Sequence, residues 1–313
     1  MLPWYDRNRQ FSGFKASIFG GILLPGLWIG VAWALGRYDA ASSTVAAAPA
    51  LPAINASAGA LPLGAMPVTE ALHQIGLWAV RFLLLSLAVT PFRRIGQWPR
   101  LIQVRRMLGV AAFSYAAIHL FLYIVQQHYR LVFVASEIAS RIYLTIGFAA
   151  LLGLCTLAAT STDSALRRLG GRTWQRLHYL VYPITVPALV HFFLQSKVNV
   201  TEPVLMSGFF IWLMSYRLAY RLNGDRALSL WHLLGLAVWA GLLTAFGESA
   251  WYQFMTGLGG KRILLANLSF AHHIRPSWWV LAAGSAMMGL KLIADRVWAG
   301  KKRRRLSPAA SPT

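Results

Sequence analysis

Long apolar segments alternate with short basic runs along this chain, and that alternation constrains the fold more than any motif does. Eight segments lie near residues 16–35, 72–90, 107–126, 142–160, 177–195, 204–220, 228–246 and 278–294. Each is long enough to cross a hydrocarbon core of ~30 Å at about 1.5 Å of rise per residue. The expected fold class is therefore an all-α membrane protein with about eight transmembrane helices. Composition agrees, at 57% hydrophobic and 12% charged residues, where soluble domains carry about a quarter charged. The first apolar run, from about Ala16 to Leu35, exceeds the apolar core of a signal peptide and is read as a span.

The net charge of +21 does not indicate a nucleic-acid partner. Its basic residues form no continuous face but sit in short runs between the spans, as the positive-inside rule describes. Most Lys and Arg residues cluster at one set of helix ends: Arg7, Arg9 and Lys15; Arg93, Arg94, Arg100, Arg105 and Arg106; Arg167, Arg168, Arg172 and Arg176; Arg217, Arg221 and Arg226; and the terminal "KKRRR". Residues 1–15 and the basic tail 299–313 are thus both expected in the cytoplasm, with membrane lipid as a partner. Residues 38–70 are rich in Ala, Pro and Ser and read as a flexible outward linker. The loop "PFRRIGQWPRLIQVRR" reads either as topology and headgroup contact or as a docking surface for an anionic cofactor or partner. No Walker A motif and no strand-preceded GxGxxG occurs, so the chain carries no nucleotide domain of its own. The single cysteine, Cys155, excludes an intrachain disulfide and a thiolate metal site of the zinc or iron–sulfur kind and is expected as a small buried hydrophobe.

Polar residues inside a span are expensive, so depth is the useful variable for the histidines. His119, in "RRMLGVAAFSYAAIHLFLY", and His191, in "VHFFLQSKV", lie on helices that both run outward. Each reaches a level roughly 20 Å from the cytoplasmic edge. Two neutral imidazoles at one level on neighbouring helices suit the axial positions of a six-coordinate b-type haem. His178 opens the same span as His191, roughly 19 Å below it. That spacing suits a second haem, but thirteen residues turn a straight helix by about 220°, so the two rings would not share a face. Pro183 and Pro187 lie between them and can kink or re-wind the helix. Across from His178 the third span offers Arg105 and Arg106, suited to a haem propionate or a flavin phosphate. His73 opens the second span on the outer side, and Arg81 lies near mid-membrane. Trp174 and Arg176, beside His178, complete the candidate cofactor contacts. His128, His232, His272 and His273 read as surface or interfacial residues.

The stretches "RRMLGVAAFSYAAIHLFLY", "EIASRIYLTIGFAALLGL", "TSTDSALRRLGGRTWQRLHYLVYP" and "VHFFLQSKV" resemble the MsrQ family, also called YedZ, within the ferric-reductase-like transmembrane superfamily. The resemblance runs over roughly residues 15–222. It implies a six-helix ferric-reductase-like haem bundle over 16–222, beyond which the apolar segments add two spans over 223–298. It also implies a b-type cytochrome of the bacterial inner membrane with one or two haems b, and FMN is associated with the family. Electrons would come from a cytoplasmic flavin reductase or from membrane quinol. They would pass to a periplasmic molybdopterin-containing reductase, MsrP, which reduces methionine sulfoxide. By position, the family's haem ligand in the third span falls on His119, its fifth-span histidines on His178 and His191, and its second-span histidine on His73. The basic pair before the third span falls on Arg105 and Arg106. The outward linker is longer than the family suggests, and the chain continues well past the sixth span. Those departures keep other readings in view: a ferric-ion or oxygen reductase acting directly at the outer haem, a proton-coupled transporter, or a structural membrane subunit.

Overall fold

Helix dominates wherever the chain is described, at residues 11–34, 67–197, 199–268 and 274–306 of a computed structural model, and no strand occurs among these residues. In chain order come α1 (Gly13–Ala34), α2 (Pro67–Ile95), a 3-10 turn (Pro99–Val104), α3 (Arg105–Gln126) and α4 (Leu131–Ser140). They are followed by α5 (Ile142–Ala159), α6 (Asp163–Leu169), α7 (Gly171–His178) and α8 (Val181–Ser196). The last four are α9 (Thr201–Leu222), α10 (Leu230–Thr256), α11 (Gly260–Ala266) and α12 (Pro276–Leu306). Arg7, Arg9, His272, His273, most of the expected linker and the end of the tail lie outside the described residues. The linker is shorter at its far end than expected, because α2 already begins at Pro67.

Among the described residues, seven stretches are long and apolar enough to cross a membrane: Gly13–Val31, Val68–Ile95, Pro99–Gln126, Ile142–Ala159, Gly171–Ser196, Leu230–Thr256 and Pro276–Val297. The chain is a multi-pass membrane protein. The expected sixth span corresponds to α9, which has the length but falls outside that set. Glu202, Arg217 and Arg221 interrupt its apolar run, and much of it is buried within its own unit.

The chain divides into two compact units. The first takes in the residues up to Ser86 together with Arg106–Asn199. Here α5 packs closely on α8, and glycine permits the approach: a β-carbon at Gly153 would stand 2.7 Å from Ile184 Cδ1. Small residues play this part in membrane bundles because apolar lipid leaves close packing as a main source of association. The helix α1 is held differently. Tyr115 on α3 donates its hydroxyl hydrogen to the Ile22 carbonyl at 2.7 Å and accepts from the Gly26 N–H at 2.9 Å. The hydroxyl thus stands where the helix's own i→i−4 bond would close, next to Pro25. Phe82 packs against the Tyr115 ring at 5.0 Å and against Trp78 at 5.6 Å. Leu24, Trp28, Phe121 and Ile142 point outward, as lipid-facing residues do. Cys155, expected as buried, is exposed on α5, where a small apolar thiol suits hydrocarbon as well as it suits a core.

The second unit consists of Leu87–Arg105 and the chain from Val200 onward. It joins α9 to α10 and α12. Glycines again set the approach, with Gly208 against Thr244 and Val280 and Gly284 against Ala237. Along α9, Trp212, Tyr216 and Tyr220 stack at helical spacing, with Arg94 over the Tyr220 ring at 3.8 Å. Glu248 is buried on α10. It accepts from Arg275 Nη1 at 3.1 Å and from Asn267 Nδ2 at 3.3 Å, and Ser277 donates to Asn267 Oδ1 at 2.7 Å. Buried charge is tolerated in such a setting because each carboxylate oxygen has a donor.

Candidate functional site

The first unit builds the site from two helix pairs, α3 with α2 and α8 with α5. His119 on α3 sets its ring against α2, with Nδ1 at 2.9 Å from the Leu72 carbonyl. His191 on α8 sets its ring against α5, with Nδ1 at 2.7 Å from the Tyr143 carbonyl. A carbonyl oxygen only accepts, so Nδ1 carries the hydrogen in both rings and Nε2 keeps its lone pair. One turn beyond each carbonyl lies a glycine under the ring. A β-carbon at Gly76 would stand 2.8 Å from His119 Nδ1, and one at Gly147 would stand 2.6 Å from His191 Nδ1. The corner before α5, which carries Tyr143, is fastened by the Arg141–Glu137 ion pair and by Thr145 Oγ1 donating to the Ile138 carbonyl at 2.6 Å.

The two half-buried rings come together. Their centroids are 6.3 Å apart and their planes lie at 82°. Two metal–nitrogen bonds of about 2 Å, plus the radius of each five-membered ring, require a separation of about 6 Å. The residues present therefore fit an axial bis-imidazole centre. Among the described residues no cluster of three or more His, Cys, Asp or Glu side chains occurs. A pair of imidazoles leaves four positions of an octahedral metal to be filled by something other than these side chains, and a porphyrin supplies four nitrogens in one plane.

The remaining candidates are dispersed. His73, exposed, lies one residue beyond the Leu72 carbonyl that holds His119. His178 is placed elsewhere. Its ring stacks on Trp174 with centroids 3.8 Å apart, its Nδ1 lies 3.0 Å from the Trp174 carbonyl, and its Nε2 lies 3.3 Å from Ser161 Oγ. Trp174 in turn donates its indole hydrogen to the Thr160 carbonyl at 2.8 Å. The fifth span, which Pro183 and Pro187 can kink or re-wind, is two helices here, α7 and α8, joined at Tyr179–Leu180. Pro183 has no N–H to offer Tyr179, and the junction closes instead with i→i−3 bonds, Leu180 to Leu177 at 3.0 Å and Tyr182 to Tyr179 at 3.1 Å. Such tighter turns add about 20° per residue to the winding, which narrows the angular gap between His178 and His191 relative to a straight helix. Arg106 forms an exposed ion pair with Asp163 at 2.5 Å. Arg81 lies over the Trp78 ring at 4.9 Å. Arg105 is half-buried and Arg176 exposed. The roles of Leu72, Tyr143 and Gly147 escape sequence reading, because a backbone carbonyl has no residue signature. The recurring signal is a glycine four residues after the accepting carbonyl.

Comparison with known proteins adds to this geometry. Residues 75–189 match the family described as ferric reductase like transmembrane component, a segment that contains His119 and His178 and ends two residues before His191. The protein-methionine-sulfoxide reductase heme-binding subunit MsrQ of Xanthomonas euvesicatoria pv. vesicatoria is 44% identical over 171 residues, covering 54% of this chain and 77% of the relative. This chain belongs to the MsrQ family. The MsrQ protein of Rhodospirillum rubrum is 41% identical over 157 residues, covering 50% of this chain and 76% of its own. No solved structure matches the chain.

Proposed function

We propose that this chain is the haem-binding, electron-carrying membrane subunit of a protein-methionine-sulfoxide reductase system in the bacterial inner membrane. The observation that carries the proposal is the pairing of His119 and His191 at 6.3 Å, each with Nδ1 engaged and Nε2 available. The names of the MsrQ relatives support the same reading. A haem b held by His119 and His191 would supply one-electron chemistry. The protein's part is to hold both imidazoles neutral, to fix their planes through backbone carbonyls, and to surround them with apolar helices that exclude water.

The direction we propose is outward, from a cytoplasmic flavin reductase or membrane quinol to a periplasmic molybdopterin-containing reductase. The basic helix ends support a cytoplasmic location for both termini. Arg105, Arg106, Trp174, Arg176 and His178 lie toward that side by sequence position. His178, with Trp174 stacked on it and Ser161 near Nε2, is assigned to this face rather than to the His119–His191 pair. The reductase system named for the MsrQ relatives supports delivery to a docked partner over direct reduction. The proposal needs no FMN.

The test is a dithionite-reduced minus oxidised spectrum of the purified chain, with pyridine haemochrome quantitation. His119→Ala and His191→Ala should each abolish the b-type absorbance. Full haem retention in either variant would sink the ligand assignment. Reduction of ferric chelates without any periplasmic partner, at the rate seen with one, would sink the partner-directed reading.

A further inference from the structure

We infer that Gly76 and Gly147 are positioning residues that, with the carbonyls of Leu72 and Tyr143, fix the plane and tautomer of each imidazole and so hold the two rings nearly perpendicular. This rests on the assignment of His119 and His191 as the ligand pair. The same arrangement occurs twice, on different helices. In each case a ring of one helix donates Nδ1–H to a carbonyl of its neighbour, and the residue four further along that neighbour is glycine. The bond holds the ring down onto the helix surface, and the missing side chain is what lets it lie there. A β-carbon at either glycine would come within 2.9 Å of at least two ring atoms. An imidazole pushed off by that carbon would lose its carbonyl, and with it the constraint on which nitrogen carries the hydrogen.

Glycine by itself does not signal such a seat. A β-carbon at Gly109, on the same helix as His119, would meet nothing within 4 Å, and the same holds for Gly30 on α1. These two serve as controls. The angle between the rings, 82°, is the quantity the seats determine. In a low-spin ferric haem, perpendicular axial imidazoles leave the two iron d orbitals that interact with them nearly degenerate. The electron paramagnetic resonance signal is then highly anisotropic, whereas parallel planes lift the degeneracy and give an ordinary rhombic spectrum.

The experiment uses the full chain purified with its haem. The unaltered protein should give the highly anisotropic signal. Gly76→Ala and Gly147→Ala should each convert it to a rhombic or heterogeneous one, with haem retention during dilution weakened roughly 10- to 100-fold. Gly109→Ala should leave both unchanged. If the alanine variants at 76 and 147 keep the parent spectrum and retention while His119→Ala and His191→Ala lose haem, the seats are refuted and the ligands stand. If the unaltered chain binds no haem, the ligand reading itself falls. Where Gly76→Ala does not give a monodisperse protein, Gly76→Ala combined with His119→Ala decides. Removing the ring removes the collision, so recovery of the fold supports the seat, and failure to recover overturns it.

Discussion

Replacing Arg275 with methionine should destabilise the second unit far more than replacing Glu248 with glutamine. The Glu248 side chain is 1% exposed and Arg275 is 23% exposed. Taking away the guanidinium leaves a carboxylate sealed in the protein with one remaining donor, Asn267 Nδ2 at 3.3 Å. Breaking a buried pair in this way costs about 3–5 kcal/mol. Glutamine at 248 is nearly isosteric and can still accept from Arg275 through its one amide oxygen while the bond from Asn267 is lost, and the partly exposed guanidinium retains access to water or headgroups. That change should cost about 1 kcal/mol, the value of one hydrogen bond. Making both changes together should bring the protein back to within about 2 kcal/mol of the parent, because no buried charge is left without a partner. Thermal unfolding of the detergent-solubilised chain, followed by tryptophan fluorescence, has a local reporter in Trp278, whose indole donates to the Asn267 carbonyl at 2.6 Å. Equal losses in the two single variants, or a double variant no better than Arg275→Met, would refute the reasoning.

Three further outcomes follow from the first unit. Tyr115→Phe removes the hydroxyl from between Ile22 and Gly26, and the two freed backbone groups can close on each other, so the loss should be only about 0.5–1.5 kcal/mol in thermal unfolding. A loss above about 3 kcal/mol would mean that the helix cannot re-form that bond. Arg106→Gln should change stability by less than about 1 kcal/mol, since its pair with Asp163 is exposed at 46% and 52%. His178→Ala should retain the reduced b-type band of the His119–His191 pair in the difference spectrum, and complete loss of haem would show the ligand set to be wrong.

Depth is the most legible property of the candidate site. Helical rise converts residue number into height regardless of which helices are neighbours, so His119 and His191 can be matched without knowledge of their packing. Their seats cannot. Gly76 stands out only as a residue near His73, and its meaning lies on α3, in a ring that no local pattern points to. The carbonyls of Leu72 and Tyr143 are silent in sequence for the same reason. The spans themselves are readable because hydrocarbon demands length and apolarity together. The exception, α9, shows where that logic weakens. A helix sheltered by α10 and α12 can carry Arg217 and Tyr216 without meeting lipid, so its hydropathy reports its neighbours as much as its crossing. Arg217 spends its donors on the carbonyls of Leu213 and Leu87. The two prolines announce an irregular fifth span, but not that the helix divides at Tyr179–Leu180.

That division has a mechanical consequence. A single rigid rod from Gly171 to Ser196 would act as a lever, and any tilt imposed at its foot would swing the imidazole of His191. Two shorter rods, joined where Pro183 leaves the Tyr179 carbonyl without its helical donor, pass on less of such a torque. The alignment of His191 is therefore set by its seat on α5, through the Tyr143 carbonyl, more than by the course of α7.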